Sequence, residues 1–292
     1  MNWLGIINPF SGGRSGKRTV DRIQHPFKEL IAEFQFTSFP GHAREIARTS
    51  HHFDGIAVFG GDGTVFEVLN GMDIDQQSIA HIPFGTGNTF ARTLGLYDNK
   101  NIVDSFHAGK TRQTDLLKID FKDDAGNFHQ YYAACSIAIG YPARATMMGN
   151  KYFKSLGDFC YPTACTIAPF FNKPFPAHLN YNEAAQELKF ITMLVVNNTS
   201  YAGKFLLFPN AVVDDGYFDI AESNAGFFKQ NVHNIAVFSK TYFYDPSHIR
   251  KAHSLTIELE SPHSVMIDGE IFSSVLNIKI TILPHVLSCL VN

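Results

Sequence analysis

The most constraining feature of the sequence is a glycine turn that joins an apolar run to a short amphipathic run. Residues 60–64 read Gly-Gly-Asp-Gly-Thr; they follow the apolar run 56–59 and precede 65–70, where apolar residues recur at helical spacing until Gly71. A strand, a glycine turn and a helix in this order leave the first N–H groups of the helix pointing at one spot, where the helix dipole favours an anion. The segment therefore predicts an α/β element with a phosphate-sized site at its turn.

An aspartate inside this turn bears on what the site would bind. The charge of Asp62 would repel a phosphate unless a cation or a reacting proton lies between them, so the turn favours a site for nucleotide and Mg²⁺. The alternative is a plain tight turn, in which glycine supplies a positive φ and Asp62 caps its own helix. For this motif on its own, the plain turn is the more common outcome.

Two further segments repeat the pattern. Residues 79–83 read as a strand, 84–88 as a polar glycine turn and 89–94 as a helix; near the N-terminus the strand 3–7 runs into the turn 8–13. Since ligands of such sheets gather at the carboxyl ends of the strands, we expect the three turns to face one crevice. A basic cluster follows the N-terminal turn: Arg14, Lys17, Arg18 and Arg22.

The order of predicted elements divides the chain in two. Strands and helices alternate to about residue 110, with helices near 17–33 and 101–108, which predicts a parallel sheet covered on both faces. From Thr111 the runs read mostly as strands, one of them 264–271, which predicts a mainly antiparallel β-sandwich. Helices interrupt it at 142–149, 153–169 and 227–239. We expect an α/β domain over 1–115 and a mainly β domain over 116–283.

Composition limits the classes of partner and compartment. A chain of 292 residues with 45% hydrophobic residues can bury one large core or two ordinary ones, and a net charge of −3 argues against nucleic acid as a partner. Four cysteines without zinc-type spacing predict reduced thiols in a cytoplasmic protein. No run reaches the apolar length of a bilayer span, so we expect no transmembrane segment.

Two acidic turns in the second half are candidates for chemistry. Asp268-Gly269-Glu270 lies between apolar runs, which is the leading signal for a hairpin turn. If the backbone stays extended there instead, Asp268 and Glu270 share one face and form a carboxylate pair that can take the proton from an attacking hydroxyl. Asp214-Asp215-Gly216 is also a turn by its residue types, but two adjacent acids with neighbouring carbonyls suit a hard cation.

Aromatic residues are the only features of the sequence that indicate a pocket for an apolar ligand. The chain has 27 phenylalanines, some clustered as in 170–171 and 227–228, and these could line an acyl-chain pocket, although most are expected in the core. Segments 151–154 and 173–175 mix basic and aromatic residues as interfacial segments do.

Taken together, these residues resemble the diacylglycerol kinase and sphingosine kinase superfamily, in particular its bacterial lipid kinase branch. The resemblance covers nearly the whole chain and rests on an ordered set: Asn8-Pro9-x-Ser11-Gly12, the GGDGT turn with Glu67 and Asn70-Gly71, Gly85-Thr86-Gly87-Asn88, the stretch Asp214 to Asp219, and Asp268-Gly269-Glu270. The GGDGT turn alone is shared with NAD kinases. Two positions that border the nucleotide site depart from the branch, Phe66 where asparagine is usual and Thr89 where aspartate is frequent.

The resemblance implies a fold and a set of roles. The first domain, 1–115, would be the NAD kinase-like, nucleotide-binding catalytic domain, and residues 284–292 would return to it. The second domain, 116–283, would lie on the lipid-acceptor side. Glu270 would act as the base with Asp268 in support, and Asp62 would belong to the metal and water network that joins nucleotide to acceptor. A structural Mg²⁺ would be held by Asp215 and the carbonyls of Val212 and Tyr217. The implied nucleotide-binding set is Asn8, Ser11, Thr37, Gly60, Gly61, Asp62, Gly63, Thr64, Glu67, Gly85, Thr86, Gly87 and Asn88.

The function that the resemblance implies is ATP-dependent transfer of the γ-phosphate to a hydroxyl of diacylglycerol, a sphingoid base or a related lipid. Such an enzyme would serve lipid metabolism, including phospholipid biosynthesis, and would reach its substrate as a peripheral protein at the inner face of the membrane. Two alternatives stay open: an NAD kinase-like enzyme with a soluble acceptor, and a non-catalytic lipid-binding protein that lost turnover through Phe66 and Thr89. A homodimer is also left open.

Overall fold

The computed structural model describes residues 1–13, 25–96, 99–202, 205–238 and 249–292. The chain forms two compact units. Unit 1 comprises Met1–Leu116 and Pro284–Asn292, and unit 2 comprises Leu117–Leu283. The predicted basic cluster of Arg14, Lys17, Arg18 and Arg22 lies outside the described residues.

Unit 1 contains a parallel sheet. Strands β1 (Trp3–Ile7), β2 (Glu33–Phe36), β3 (Gly55–Gly60) and β4 (Ser78–Pro83) pair in the order β4-β3-β1-β2. The last strand of the chain ends beside β4, in parallel, with Cys289 opposite Ile79. Strands β1 and β3 are buried along their whole length, as expected for continuous apolar runs covered on both faces.

The helices of unit 1 follow its strands. They are α1 (His42–Arg48), α2 (Asp62–Leu69), α3 (Thr89–Thr93) and α4 (Asn99–Ala108). Helix α2 starts at the GGDGT turn and buries Val65, Val68 and Leu69, in keeping with the helical spacing of its apolar residues. The first part of the helix predicted over 17–33 lies outside the described residues, and its second part, 25–33, is wrong, because a 3₁₀ turn and the first residue of β2 stand there.

Unit 2 is mainly antiparallel. The strands are β5 (Thr111–Asp123), β6 (Phe128–Ala133), β7 (Ser136–Gly140), β8 (Phe175–Tyr181), β9 (Glu187–Ile191), β10 (Met193–Asn197), β11 (Tyr201–Ala202), β12 (Phe205–Leu206), β13 (Phe218–Ser223), β14 (Ile249–Ala252), β15 (Ser254–Ile267) and β16 (Glu270–Leu290). The first residues of β5 and the last of β16 belong to unit 1. Six strands pair side by side in the order β14-β13-β10-β7-β15-β16. In addition, β15 pairs with β8, β8 pairs with β9, and β5 pairs with β6. The predicted fold class, a parallel α/β part followed by a mainly antiparallel β part, is thereby confirmed.

Three helices accompany these strands: α5 (Tyr141–Met148), α6 (Cys160–Ile167) and α7 (Phe227–Phe238). The single helix predicted over 153–169 is wrong. Gly157 takes a left-handed φ of +56°, which interrupts the chain before α6, and short 3₁₀ turns stand on both sides of that helix. Within the described ranges, no helix combines the length and the apolar character that crossing a bilayer requires.

Candidate functional site

In unit 1 the three glycine turns lie against one another. The Phe84 N–H donates to the Gly60 carbonyl at 2.8 Å, and the Gly61 N–H donates to the Ser11 hydroxyl at 3.1 Å. A Cβ added at Gly85 would lie 2.6 Å from the Cα of Gly61, so this approach requires glycine. The turns after β1, β3 and β4 thus meet at one edge of the sheet, as the parallel arrangement predicted.

Asn8 and Thr37 stand at the same edge. The Asn8 N–H donates to the Phe59 carbonyl at 2.9 Å, and its side-chain amide donates to the Thr64 hydroxyl at 3.0 Å. Thr37 follows β2, is buried, and donates its N–H to the Ile7 carbonyl at 2.9 Å. These polar side chains therefore follow three adjacent strands.

Asp62 links the GGDGT turn to the next turn along the chain. Its two carboxylate oxygens accept the N–H groups of Thr89 at 3.1 Å and Phe90 at 3.3 Å. These residues begin α3, whereas α2 has no side-chain cap of its own. The interpretation of Asp62 as a cap of its own helix is therefore wrong, since the carboxylate satisfies the start of a different helix.

The turn before α3 closes on itself through Asn88. Its side-chain oxygen accepts the Gly85 N–H at 2.8 Å, and its amide donates to the Gly85 carbonyl at 2.7 Å. Asn88 has a φ of +50°, a conformation that asparagine tolerates better than most residues. The tip of the turn, Thr86, is exposed, while the Gly87 carbonyl accepts the Arg92 Nε at 3.3 Å.

Glu67 has a structural partner that the sequence did not reveal. Its carboxylate accepts the N–H groups of Gly41 at 2.8 Å and Ala43 at 3.1 Å, so it caps α1 from a distance. Phe66, one of the two departures from the family pattern, is buried on α2 with 6% of its surface exposed. Glu67 therefore stabilises the start of α1, and Phe66 contributes to the packing of α2.

His81 was not identified from the sequence as a site residue. It lies on β4, fully buried, with its Nε2 at 3.1 Å from the Gly60 carbonyl. Its Nδ1 has no hydrogen-bond partner among the described residues. Burial lowers the pKa of the imidazole, although the charge of Asp62 and the Gly60 carbonyl oppose this. The apolar neighbours of His81 in the sequence were the available signal.

In unit 2, Asp268 and Gly269 form the corner of a two-residue hairpin. Ile267 pairs with Glu270, and the corner residues have φ values of +46° and +93°, which is a type I′ geometry. The strand predicted over 264–271 is therefore wrong, and so is the extended backbone that would have placed Asp268 and Glu270 on one face. Asn or Asp followed by Gly is favoured at this corner because both positions need a positive φ.

The Asp268 carboxylate is bound by the short connection between β6 and β7 and by the first residue of β7. It accepts the N–H groups of Ala134 at 2.8 Å, Cys135 at 3.0 Å and Ser136 at 2.7 Å, and only 7% of the residue is exposed. Glu270, two residues on, is exposed. The two acids thus differ in environment, since Asp268 is held by backbone donors while Glu270 faces solvent.

A cavity that is open on one side lies in unit 2. Its lining is mostly apolar, and Ser136 and Met266 bring it next to the Asp268 hairpin corner. At its polar end the Asn234 side-chain oxygen accepts the Tyr141 hydroxyl at 2.8 Å. Such a lining suits an apolar ligand with few polar groups.

The acidic turn at Asp215 is a candidate cation site. One oxygen of its carboxylate accepts the Tyr217 N–H at 3.0 Å, and the other lies 2.5 Å from the Lys251 ammonium. Burial and the charge of Asp215 raise the pKa of Asp219, while Lys251 opposes this. The oxygen donors are of the type that Mg²⁺ prefers, but Lys251 stands where a cation would bind Asp215. In the described part of the chain, no group of three or more His, Cys, Asp or Glu side chains has a metal-binding arrangement.

Two family models match the chain. Residues 2–119 match the model described as "Diacylglycerol kinase catalytic domain", and residues 135–291 match the one described as "YegS C-terminal NAD kinase beta sandwich-like domain".

Proteins that are similar over nearly the whole chain have names that agree with these two family models. YtlR of Bacillus subtilis, which carries a provisional lipid kinase name, is 27% identical over 293 residues, covering 94% of each chain. A diacylglycerol kinase of the same organism is 24% identical over 279 residues, covering 91% of this chain and 88% of the relative. A crystal structure from Bacillus anthracis, provisionally named a diacylglycerol kinase, aligns with a TM-score of 0.75 at 25% identity, covering 100% of this chain and 97% of that one. The chain therefore belongs to the diacylglycerol kinase and sphingosine kinase superfamily, in its bacterial lipid kinase branch.

Proposed function

We propose that the protein is an ATP-dependent lipid kinase of the cytoplasm that phosphorylates a hydroxyl of diacylglycerol, a sphingoid base or a related lipid at the inner face of the membrane. One observation carries the proposal: an acidic hairpin corner adjoins a mostly apolar cavity, through Ser136. The cavity can hold an acyl chain, while a carboxylate nearby can take the proton of a hydroxyl. The match of residues 2–119 to the diacylglycerol kinase catalytic domain supports the nucleotide-binding half.

We propose that the nucleotide binds at the three joined glycine turns of unit 1. Glycine turns at strand ends and helix starts present N–H groups, which bind phosphate oxygens. Asp62 and Glu67 satisfy the starts of α3 and α1, which keeps the turns in place. ATP supplies the phosphoryl group when bound. The proposed nucleotide-binding residues are Asn8, Ser11, Thr37, Gly60, Gly61, Asp62, Gly63, Thr64, Glu67, Gly85, Thr86, Gly87 and Asn88.

The proposed reaction is an in-line phosphoryl transfer. The lipid hydroxyl oxygen forms a bond to the γ-phosphorus, the bond from this phosphorus to the β–γ bridging oxygen breaks, and ADP leaves with that electron pair. The hydroxyl proton passes to the Glu270 carboxylate. We assign the base to Glu270 because it is exposed, whereas Asp268 is held by three N–H groups and would support the hairpin corner. Positioning and charge stabilisation supply most of the catalysis in such reactions.

We also propose Mg²⁺ as the divalent cation of the enzyme. Asp62 would organise the cation that accompanies the nucleotide. Asp215, with the carbonyls of Val212 and Tyr217, would hold a structural ion in place of the Lys251 ammonium. Lys251 has a long flexible side chain and is partly exposed, so it can move away from Asp215.

The test is transfer of labelled γ-phosphate from ATP to a mixture of lipids, to NAD, and to no acceptor, with and without Mg²⁺. We expect label in the lipid fraction only, and little label with the Glu270→Gln variant. Label found in NAD alone would mean that the acceptor is soluble and not a lipid. Lipid binding without any transfer would make the chain a non-catalytic lipid-binding protein, consistent with its departures at Phe66 and Thr89.

A further inference from the structure

His81 is a buried polar residue that takes no direct part in the proposed phosphoryl transfer. It lies on β4 and has 0% of its surface exposed. Its Nε2 lies 3.1 Å from the Gly60 carbonyl oxygen, and its Nδ1 has no hydrogen-bond partner in the described part of the chain. A buried polar atom without a partner lowers stability, so a histidine at this position indicates a role other than stabilising the fold.

The contact with Gly60 determines which ring nitrogen of His81 carries the proton. Burial lowers the pKa of the imidazole, so at neutral pH the ring has a single N–H group. A carbonyl oxygen can only accept a hydrogen bond, so this N–H group is at Nε2 and donates to Gly60. The Nδ1 atom is therefore a bare acceptor.

The Gly60 carbonyl thereby accepts two donors. The Phe84 N–H donates to it at 2.8 Å where β3 and β4 end, and His81 supplies the second donor. A single donor leaves a peptide group able to tilt about that hydrogen bond, whereas two donors at the two lone pairs hold the plane of the carbonyl. Such a hold has most effect between Gly60 and Gly61, because glycine on both sides gives a peptide group its widest choice of φ and ψ.

The same peptide group carries a donor on its opposite side. The peptide bond between Gly60 and Gly61 is trans, so its C=O and N–H point in opposite directions, and the orientation of one fixes that of the other. The Gly61 N–H donates to the Ser11 hydroxyl oxygen at 3.1 Å. A hydroxyl that accepts in this way keeps its own hydrogen for donation to a ligand oxygen. Through one peptide group, His81 thus acts on Gly61 and Ser11, two of the proposed nucleotide-binding residues.

The ring of His81 also contacts the helix that follows β4. It stacks on Phe90 with ring centroids 6.3 Å apart and an angle of 23° between the ring planes. Phe90 stands in the first turn of α3, where its N–H donates to Asp62. His81 therefore links the turn after β3 to the helix after β4.

We propose that His81 is a positioning residue of the phosphate site: its Nε2–H group holds the Gly60–Gly61 peptide in the orientation that the nucleotide phosphates require. The part that concerns nucleotide rests on the proposed function, whereas the hold on the peptide group does not require catalysis. An apolar side chain of similar size in place of His81 keeps the fold, because the Gly60 carbonyl retains its Phe84 donor and the bare Nδ1 is removed. Replacement of His81 should therefore weaken nucleotide binding without weakening the fold.

The experiment compares variants of the full chain. His81→Leu removes both ring nitrogens, whereas His81→Gln places an amide N–H near the position of Nε2. The matched control is Ile79→Val, which removes a buried methylene beside Ile56 and Cys289, at the opposite end of β4 from the glycine turn. Each protein is measured for its melting temperature, for binding of ATP with Mg²⁺ by calorimetry, and for the kinetics of phosphoryl transfer to a dispersed short-chain diacylglycerol.

We expect His81→Leu to leave the melting temperature unchanged or raise it, and to weaken ATP binding about tenfold, since small misplacements of positioning groups have effects of this size or larger. The KM for ATP should rise by a similar factor and kcat should change less than about threefold, because the phosphate contacts exist before as well as during transfer. His81→Gln should recover most of the affinity. Ile79→Val should lower the melting temperature, because the lost methylene leaves a cavity, with ATP binding unchanged.

Nuclear magnetic resonance tests the hydrogen bond itself. The nitrogen signals of the His81 ring should identify the Nε2–H tautomer, and hydrogen exchange at the Gly61 amide should be at least about tenfold faster in His81→Leu than in the wild type. A proton on Nδ1 in place of Nε2 would overturn the proposal. So would His81→Leu with wild-type ATP affinity, since His81 would then be a packing residue only.

The two proposals fail separately. ATP binding that weakens in His81→Leu, without transfer to any acceptor by the wild type, removes the proposed function alone. Transfer by the wild type with equal ATP affinity in His81→Leu removes the role of His81 alone. A wild type that binds no ATP removes both.

Discussion

The dipeptide Asp-Gly occurs in the GGDGT turn of unit 1 and at the hairpin corner of unit 2, with different results. Asp62-Gly63 begins a helix after a buried strand, whereas Asp268-Gly269 reverses the chain between two antiparallel strands. In both places the aspartate binds backbone N–H groups of another segment. The dipeptide alone therefore does not determine the local structure; the spacing of apolar residues after it does, helical in one case and alternating in the other.

The two carboxylates also differ in how strongly they are held. Asp62 accepts two N–H groups at 3.1 and 3.3 Å and is half-buried, while Asp268 accepts three at 2.7 to 3.0 Å and is buried. Shorter bonds to a charged acceptor in a buried place contribute more to stability. Substitution of Asp268 should thus lower the free energy of unfolding more than substitution of the aspartates in the other acidic turns.

The largest loss of stability is expected for Asp268→Ala. The change leaves the N–H groups of Ala134, Cys135 and Ser136 without their acceptor, which should lower the free energy of unfolding by about 3 kcal/mol or more. Urea denaturation followed by circular dichroism measures it. Asp268→Asn is the control, because asparagine tolerates the left-handed corner and keeps one acceptor, so its loss should be smaller. A loss for Asp268→Ala no larger than that for Asp62→Ala would contradict the ranking.

Asp62→Asn should have an intermediate effect on stability and a complete effect on activity. The asparagine oxygen can keep one of the two N–H bonds, so we expect a loss of about 1 kcal/mol. The missing charge should abolish phosphoryl transfer, because the cation is no longer organised. Near wild-type turnover with ATP and Mg²⁺ in the purified variant would reduce Asp62 to a structural link between two turns.

A third acidic turn sharpens the comparison, because Asp215 pairs with a charged side chain, whereas Asp268 is held by three backbone N–H groups. Loss of the partly exposed pair with Lys251 should cost about 0.5 kcal/mol in Asp215→Ala. If Mg²⁺ binds there, a chelator should lower the melting temperature of the wild type and leave that of the variant nearly unchanged. Equal shifts in both proteins would exclude this turn as the metal site.

Glu270→Gln should change stability least. The side chain is exposed, so we expect less than about 0.5 kcal/mol. Turnover should fall by a factor of about 10² to 10⁴, the usual cost of removing a general base, with little change in nucleotide affinity. Glu260→Gln, at another exposed glutamate of unit 2, serves as the control. Rates for Glu270→Gln within about threefold of wild type, at saturating ATP and lipid, would place the base elsewhere.

Local patterns in the sequence were sufficient for part of this structure. We could predict the GGDGT turn, helix α2 and the junction of three turns from the apolar runs, the glycine positions and the rule that parallel strands end at one edge of the sheet. The hairpin at Asp268 was the leading interpretation of its residue types, yet the strand predicted over 264–271 ran through the corner. A period-2 pattern continues across a tight turn, so the pattern does not reveal the reversal.

Distant contacts explain what the sequence could not predict. The donors that bind Asp268 come from residues 134–136, and those that bind Glu67 come from residues 41 and 43. Nothing in either segment alone specifies the other. His81 was overlooked for a similar reason, since its partner, the Gly60 carbonyl, lies on the neighbouring strand. The cavity likewise combines residues from β7, α6, β10 and α7.

The placement of residues 284–290 beside β4 has a consequence for how the protein is made. Cys289 pairs with Ile79, and the Val291 N–H donates to the Lys110 carbonyl, so unit 1 takes its outer strand from residues that follow all of unit 2. During translation β4 therefore waits on the order of 10 s with an unpaired edge while unit 2 is synthesised. An open edge strand invites pairing with other chains. The nascent protein is thus most vulnerable to aggregation in the interval before its last strand emerges from the ribosome.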